Sequence, residues 1–225
     1  MPKVGVVLAG CGVQDGSEIH EAVLTLLALD RAGATAVIAA PDKDQADVMD
    51  HLTGEKTTQA RNVLAESARI ARGDIRDVKE LTAADLDALV LPGGFGAAKN
   101  LSTFAADGEA CEVDEDVTRL LREMHAAGKP IAALCIAPVI LAKVFGEELA
   151  PELTIGSDEA TAASLEAMGA RHHATAVTEI LVDEHNRIVT TPCYMLAERI
   201  SDVATGTEKA VAAVLSMVRE EMPAR

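Results

Sequence analysis

The stretch KPIAALCIAP, residues 129–138, holds a short apolar run, Ile131 to Leu134, that ends on Cys135, with Pro138 three positions later. Gly128, Lys129 and Pro130 form a combination that stops a helix and lets an extended segment begin. A bounded apolar run of that length reads as a buried strand. From 137 to 145 the chain is apolar nearly all round, the pattern of a buried helix. A strand passing into a helix through one tight turn belongs to a strand–helix–strand unit, and so to a parallel sheet. Cys135 occupies the turn itself.

The alternation extends in both directions. KVGVVLA (3–9) and TAVIAA (35–40) are buried-strand runs, and 18–32 between them reads as a helix closed by Gly33. A helix over 59–72, a strand within DALVLPGG (87–94) and a helix over 115–127 follow. In the last of these, Val117, Leu120, Leu121 and Met124 fall at i, i+3, i+4 and i+7, with Asp114 as N-cap. The segments 41–58 and 95–113 read as surface excursions, the first with a small turn or hairpin. Beyond Cys135 the pattern gives a short strand at 153–156, a helix at 159–168, a hairpin over 178–192 and a last helix over about 206–221. No repeat or linker interrupts this order, so the expectation is one domain over 1–225, with a doubly wound, mostly parallel sheet and helices on both faces.

Composition narrows the function. The chain is 49% hydrophobic and 25% charged, with aromatics at only 2%, so its core is built from small aliphatic contacts. A net charge of −16 repels nucleic acid and anionic lipid, and neither is expected as a partner. The N-terminal apolar run is too short for an export signal, and no segment approaches the roughly 18 apolar residues of a membrane span. Cys11, Cys111, Cys135 and Cys193 are too widely spaced for a zinc or C-x-x-C pattern. Free thiols in a reducing, cytoplasmic compartment are therefore expected. His172 and His173 are adjacent and diverge, and no other His or Cys cluster suggests a metal, so no cofactor is expected. There is no aspartate-rich motif or P-loop for a diphosphate.

Ligands of such sheets bind at the carboxyl ends of the strands. Three loops reach that rim: GCGVQDGSEIHE after the first strand, PGGFG (92–96), and the turn at Cys135. A residue at a strand-to-helix elbow is strained and faces the rim, and the helix N-terminus behind it favours negative charge. Both features predict an exposed, readily ionised thiol. The competing reading is a small buried hydrophobe, since cysteine is among the most buried residue types.

LVLPGGFG followed by IAALCIAP resembles the ThiJ/PfpI branch of the class I glutamine amidotransferase-like superfamily. GCGVQDGSEIHEAVLTLLALDRAGA (10–34) and IVTTPCYMLA (188–197) resemble its ElbB group, over essentially the whole chain. The resemblance implies a flavodoxin-like fold, a homodimer, and a glyoxalase that turns glyoxal, or another small dicarbonyl, into the 2-hydroxy acid without glutathione or metal. It also raises removal of early glycation adducts as what that activity reflects. It places the nucleophile at Cys135 and, counting back from Arg31-Ala32-Gly33, its partner carboxylate at Glu21, with Glu18 and then Asp15 as alternatives. A buried carboxylic acid there would hold a proton near neutral pH. The backbone N–H groups of Gly93, Gly94 and Ile136 are the expected oxyanion donors, and His20 is a candidate acid or base.

The amidotransferases and many proteases of the superfamily place histidine after the cysteine or later in the chain. Here Ile136 follows Cys135 and TIGSD lacks a histidine, so a Cys-His-Glu triad, with its peptidase or glutaminase chemistry, is not supported. The rival to an enzyme is a redox or stress module whose exposed thiol oxidises, with Cys11 as a resolving thiol. Cys111 and Cys193 read as structural, although Cys193 lies in the family-like segment and is a candidate lining of the site.

Overall fold

The computed structural model describes residues 1–221. Its main sheet comprises β1 (Lys3–Val7), β2 (Thr35–Ala40), β3 (Arg76–Asp77), β4 (Ala88–Leu91), β5 (Ile131–Leu134), β8 (Leu181–Asp183) and β9 (Ile188–Thr191). The spatial order is β3-β2-β1-β4-β5-β9-β8, with β6 (Glu152–Leu153) and β7 (Arg171–His172) forming a separate two-stranded sheet. All neighbours in the main sheet are parallel except the β8–β9 hairpin. This is a flavodoxin-like α/β fold, and its chain order reverses between β1 and β4, which opens a crevice at their carboxyl ends.

Side chains alternate across the central strands, as a sheet buried on both faces requires. Leu89 and Leu91 of β4 and Ile131 and Ala133 of β5 point to one face, against α5 (Glu115–Ala126) and α6 (Pro138–Leu149). Ala88, Val90, Ala132 and Leu134 point to the other, against α1 (Ile19–Arg31), α2 (Val63–Ala71) and α8 (Ile200–Glu221). The expected α5 stripe of Val117, Leu120, Leu121 and Met124 is fully buried, and the Asp114 carboxylate accepts the N–H groups of Asp116 and Val117.

Some boundaries differ from the sequence reading. The strand expected at 153–156 is two residues long and lies outside the main sheet. Helix α8 starts at Ile200 rather than near 206, because its first turns carry serine, aspartate, valine and threonine, weak helix formers that tertiary packing overrides. The 95–113 stretch contains two short helices, α3 (Phe95–Lys99) and α4 (Phe104–Asp107). Within 41–58, Met49 pairs with Lys56 across a turn closed by Asp50 N–H to Glu55 C=O. None of the described helices is long and apolar enough to cross a membrane.

Helix α6 continues from the Cys135 turn and packs on α7 (Glu159–Ala167) through Gly146, where an added Cβ would fall 1.9 Å from the backbone oxygen of Met168. Because both sides of that contact are backbone, neither can yield cheaply. Gly146→Ala is therefore expected to lower unfolding free energy by about 2–3 kcal/mol or more, measured by urea denaturation; an unchanged midpoint would refute this account of the α6–α7 contact.

Candidate active site

Cys135 lies at the carboxyl end of β5 with φ of 59°, the left-handed region a non-glycine residue enters at a cost of order 1–2 kcal/mol. Two features hold it there. Its N–H donates to Thr191 C=O at 3.0 Å, tying the turn to β9, and Pro138 opens α6 with a preset φ. The turn is thus an elbow between a central strand and a buried helix.

The sulfur meets Glu21, in the first turn of α1, through a side-chain hydrogen bond in which the thiol donates to the carboxylate. Glu21 is completely buried. Its Oε2 accepts the Gly93 N–H at 2.9 Å and its Oε1 accepts the Tyr194 N–H at 3.2 Å. The Gly94 N–H donates to the sulfur. Gly93 must be glycine for a steric reason: a Cβ would lie 2.4 Å from Cys135 Cβ and 2.8 Å from Glu21 Oε2. Burial, offset in part by the Tyr194 N–H and augmented by the charge of Glu18, raises the Glu21 carboxyl from its ordinary 4.5 to about 7.

The thiol differs from expectation. Cys135 is only 7% exposed, and burial, followed by the Glu21 charge, pushes its pKa well above the ordinary value. Loss of water outweighs the helix N-terminus and the Gly94 N–H. At neutral pH the resting pair is a neutral thiol beside a carboxyl group close to half-ionised, in place of an exposed thiolate.

The other expected residues divide. Glu18 caps α1, its Oε2 accepting the Glu21 N–H at 2.7 Å, while its own N–H donates to Gly93 C=O at 2.9 Å. It positions Glu21 and is not bonded to the sulfur. His20 points to the exposed side, with Nδ1 at 2.7 Å from the Tyr194 hydroxyl and 3.9 Å from Glu18 Oε1. Its link to Cys135 is indirect, through Tyr194. Asp15 is buried away from the thiol, where it accepts the Met49 N–H at 2.7 Å and faces His51 at 3.7 Å. It braces the first-strand loop against the 41–58 excursion. The Gly93 N–H, expected as an oxyanion donor, is committed to Glu21.

All four cysteines are free. The charged neighbours of Cys11 are Glu66, Arg69, Asp15 and Arg61, which places it toward α2 and gives no resolving partner for Cys135. Cys111 lies in the opposite core. Cys193 is buried in the same core as Cys135, at φ of 43°, with its sulfur 3.6 Å from Thr207 Oγ1.

Tyr194 is the residue the sequence reading missed. Its N–H holds Glu21, its hydroxyl meets His20, and its ring lines a cavity of about 440 Å³ together with Cys135, Gly94 and Ile136. As the only tyrosine in the chain, inside the family-like 188–197 segment, it could have been singled out. Among the described residues, no group of three or more His, Cys, Asp or Glu is placed to hold a metal ion.

A family model described as the DJ-1/PfpI family matches residues 7–191. The ES1 protein homolog, mitochondrial, of Rattus norvegicus is 48% identical, with the match covering 96% of this chain and 84% of the relative. Glutamine amidotransferase-like class 1 domain-containing protein 3, mitochondrial, of Homo sapiens is 47% identical over 96% of this chain and 83% of its own length. The crystal structure of an isoprenoid biosynthesis protein with amidotransferase-like domain from Ehrlichia chaffeensis superposes with a TM-score of 0.89 at 35% identity, covering 95% of this chain and 99% of that one. The curated relatives carry the ES1 and amidotransferase-like names rather than the ElbB name. Their names also overturn the cytoplasmic expectation, since both are mitochondrial proteins. That expectation rested on reading the cysteines as free thiols and the first apolar run as too short for an export signal, and neither reading separates the cytosol from another reducing compartment.

Glu21 binds its proton more tightly folded than unfolded, so its contribution to stability is complete below about pH 4.5 and is lost as pH rises through about 7. Glu21→Gln removes that loss. Its stability relative to wild type is expected to improve between pH 5 and pH 8 by up to about 3 kcal/mol, read from denaturation midpoints at each pH. A difference that is constant with pH would show that Glu21 does not carry the buried charge.

Proposed function

The chain belongs to the DJ-1/PfpI family, and we propose that within it the protein acts as a glyoxalase of the ElbB type, needing neither glutathione nor metal. The observation that carries this reading is the buried Cys135–Glu21 pair, in which the carboxyl group titrates at about 7 beside a thiol it can deprotonate. A base whose pKa matches the working pH is the most effective one.

In the proposed sequence, Glu21 takes the thiol proton as the sulfur adds to one carbonyl of the substrate, so a separate, stable thiolate is not required. The hemithioacetal oxygen faces the N–H of Ile136, the donor remaining at the elbow once Gly93 is committed to Glu21 and Gly94 to the sulfur. The proton on the sulfur-bearing carbon is removed and returned to the neighbouring carbon through an enediol, leaving a thioester of the 2-hydroxy acid. Water cleaves the thioester and restores the thiol. The sum is dicarbonyl plus water giving hydroxy acid, with one carbon oxidised and its neighbour reduced, so no external oxidant is consumed. His20, bonded to the Tyr194 hydroxyl at the cavity wall, is placed to exchange protons with solvent.

The oxidation-sensor alternative requires an exposed thiol of low pKa. The burial of Cys135 works against it.

A homodimer also belongs to the proposal. Ile19, Val23 and Leu27 lie four residues apart on one face of α1 and are 42%, 46% and 38% exposed, an apolar row that a second copy would cover. Val23→Glu with Leu27→Glu is expected to convert a dimer to a monomer in light scattering; an unchanged mass would place the contact elsewhere.

For the reaction, Cys135→Ser is expected to abolish glycolate formation from glyoxal, and Glu21→Gln to lower kcat by about 10²-fold or more. Wild-type kcat/KM should rise with pH through about 7, because the carboxylate is the active form. Full turnover by the serine variant would eliminate the mechanism; an unchanged pH profile in the glutamine variant would move the base to another residue.

A further inference from the structure

The whole chain has three phenylalanines, one tyrosine and no tryptophan. Phe95, Phe104 and Tyr194 all line the cavity at Cys135, Phe104 and Tyr194 each also resting against one of the two cores, and Phe145 is the one fully buried aromatic ring. A protein that fills its interior with small aliphatics has concentrated its aromatic surface around one opening. Phe95 is 53% exposed, so its ring is held at the mouth rather than used for packing. Val13, Ile136 and Met195 extend the apolar lining.

Size and charge point the same way. At about 440 Å³ the cavity falls within the range of about 300–1,000 Å³ that encloses ligands far larger than a two-carbon dicarbonyl. No lysine or arginine lines it. Lys99 stands 5.6 Å over the Phe95 ring but is paired with Asp47 at 3.1 Å. The one charged residue in the lining is Asp158, whose Oδ1 accepts the Thr161 N–H at 2.8 Å. A carboxylate or phosphate on the substrate would find no counter-charge there, with Glu18 and Glu21 behind the sulfur.

We propose that the site takes a carbonyl compound carrying an uncharged aromatic or bulky apolar group, seated between Phe95, Phe104 and Tyr194 while its carbonyl faces Cys135. The inference rests on the glyoxalase reading for its chemistry, but on the cavity for its selectivity. For an aryl 2-oxoaldehyde the balance is that of the parent reaction: the aldehyde carbon becomes the carboxylate, the ketone carbon becomes the alcohol, and one water is added. Burial of an apolar group against aromatic walls supplies the preference.

The test measures mandelate formed from phenylglyoxal against glycolate formed from glyoxal, with 4-carboxyphenylglyoxal as the anionic comparison. The kcat/KM for phenylglyoxal is expected to exceed that for glyoxal, and that for the carboxylated analogue, by about tenfold or more. Phe104→Ala and the surface-exposed Phe95→Ala should each lower the phenylglyoxal-to-glyoxal ratio. Glycolate formation with no preference for phenylglyoxal, or a ratio that neither substitution moves, overturns the inference and leaves the glyoxalase reading in place. If neither dicarbonyl turns over, that reading falls, and calorimetric binding of acetophenone against acetone and 4-acetylbenzoate decides the inference. Tighter binding of acetophenone, weakened by Phe104→Ala, upholds an apolar carbonyl site; equal or absent binding overturns it.

Discussion

One buried carboxyl group organises this molecule. Glu21 has no exposed surface, yet its two oxygens reach N–H groups of Gly93 and Tyr194 and its proton-sharing partner is Cys135. Those contacts join α1, the loop after β4, the elbow after β5 and the segment after β9. Each segment comes from a different part of the sequence, and each ends a strand or opens a helix at the same edge of the sheet. A charge removed from water is tolerated only when hydrogen bonds replace the lost solvation. Here backbone N–H groups supply them incompletely, which is why the carboxyl group retains its proton to about pH 7 instead of ionising fully.

The backbone around the site is shaped to keep that arrangement. Gly93 lacks a side chain because the space is taken by Cys135 and Glu21, and Glu18 closes the start of α1 by capping Glu21 while donating to Gly93. The first-strand loop is sewn to the following loop by Phe95 N–H to Val13 C=O and Gly96 N–H to Gly16 C=O, both at 2.8 Å. Cys135 and Cys193 both adopt positive φ, so the two strand ends that flank the carboxyl group are strained together. Strain of this kind persists when the surroundings over-determine it.

Much of this was legible in the sequence, and what was not has physical causes. Alternating buried runs and amphipathic helices gave the parallel sheet, since TAVIAA and IAAL admit few other readings; both strands have the boundaries expected. The pairing of Cys135 with Glu21 was reachable only through the family resemblance, which counts the carboxylate back from Arg31-Ala32-Gly33. Burial was not. A cysteine after a strand reads the same whether its sulfur faces solvent or a carboxyl group, because desolvation depends on what packs over it from Tyr194 and Gly94, far away in sequence. The bond made by the Gly93 N–H, and the place of Asp15, only the third candidate for the carboxylate, were not legible, for a related reason. A glycine pair announces a close approach without naming the partner, and an acid near a helix start does not reveal that it bonds Met49, more than thirty residues on.

The resting protonation state carries a consequence for how reactivity is controlled. A thiolate standing at the rim would meet oxidants and adventitious electrophiles continuously, and a fully ionised Glu21 beside it would double the buried charge. A thiol that keeps its proton beside a carboxyl group only about half-ionised limits both. In the proposed reaction the carboxylate form of Glu21 takes the thiol proton as a carbonyl carbon reaches the sulfur, so the negative charge passes to the substrate oxygen rather than gathering on two buried side chains. On that proposal selectivity belongs to whatever brings the carbonyl into position, and the feature placed to do so is an aromatic-lined cavity free of lysine and arginine. On the proposed mechanism the elbow would supply reactivity only to a ligand the walls have already accepted.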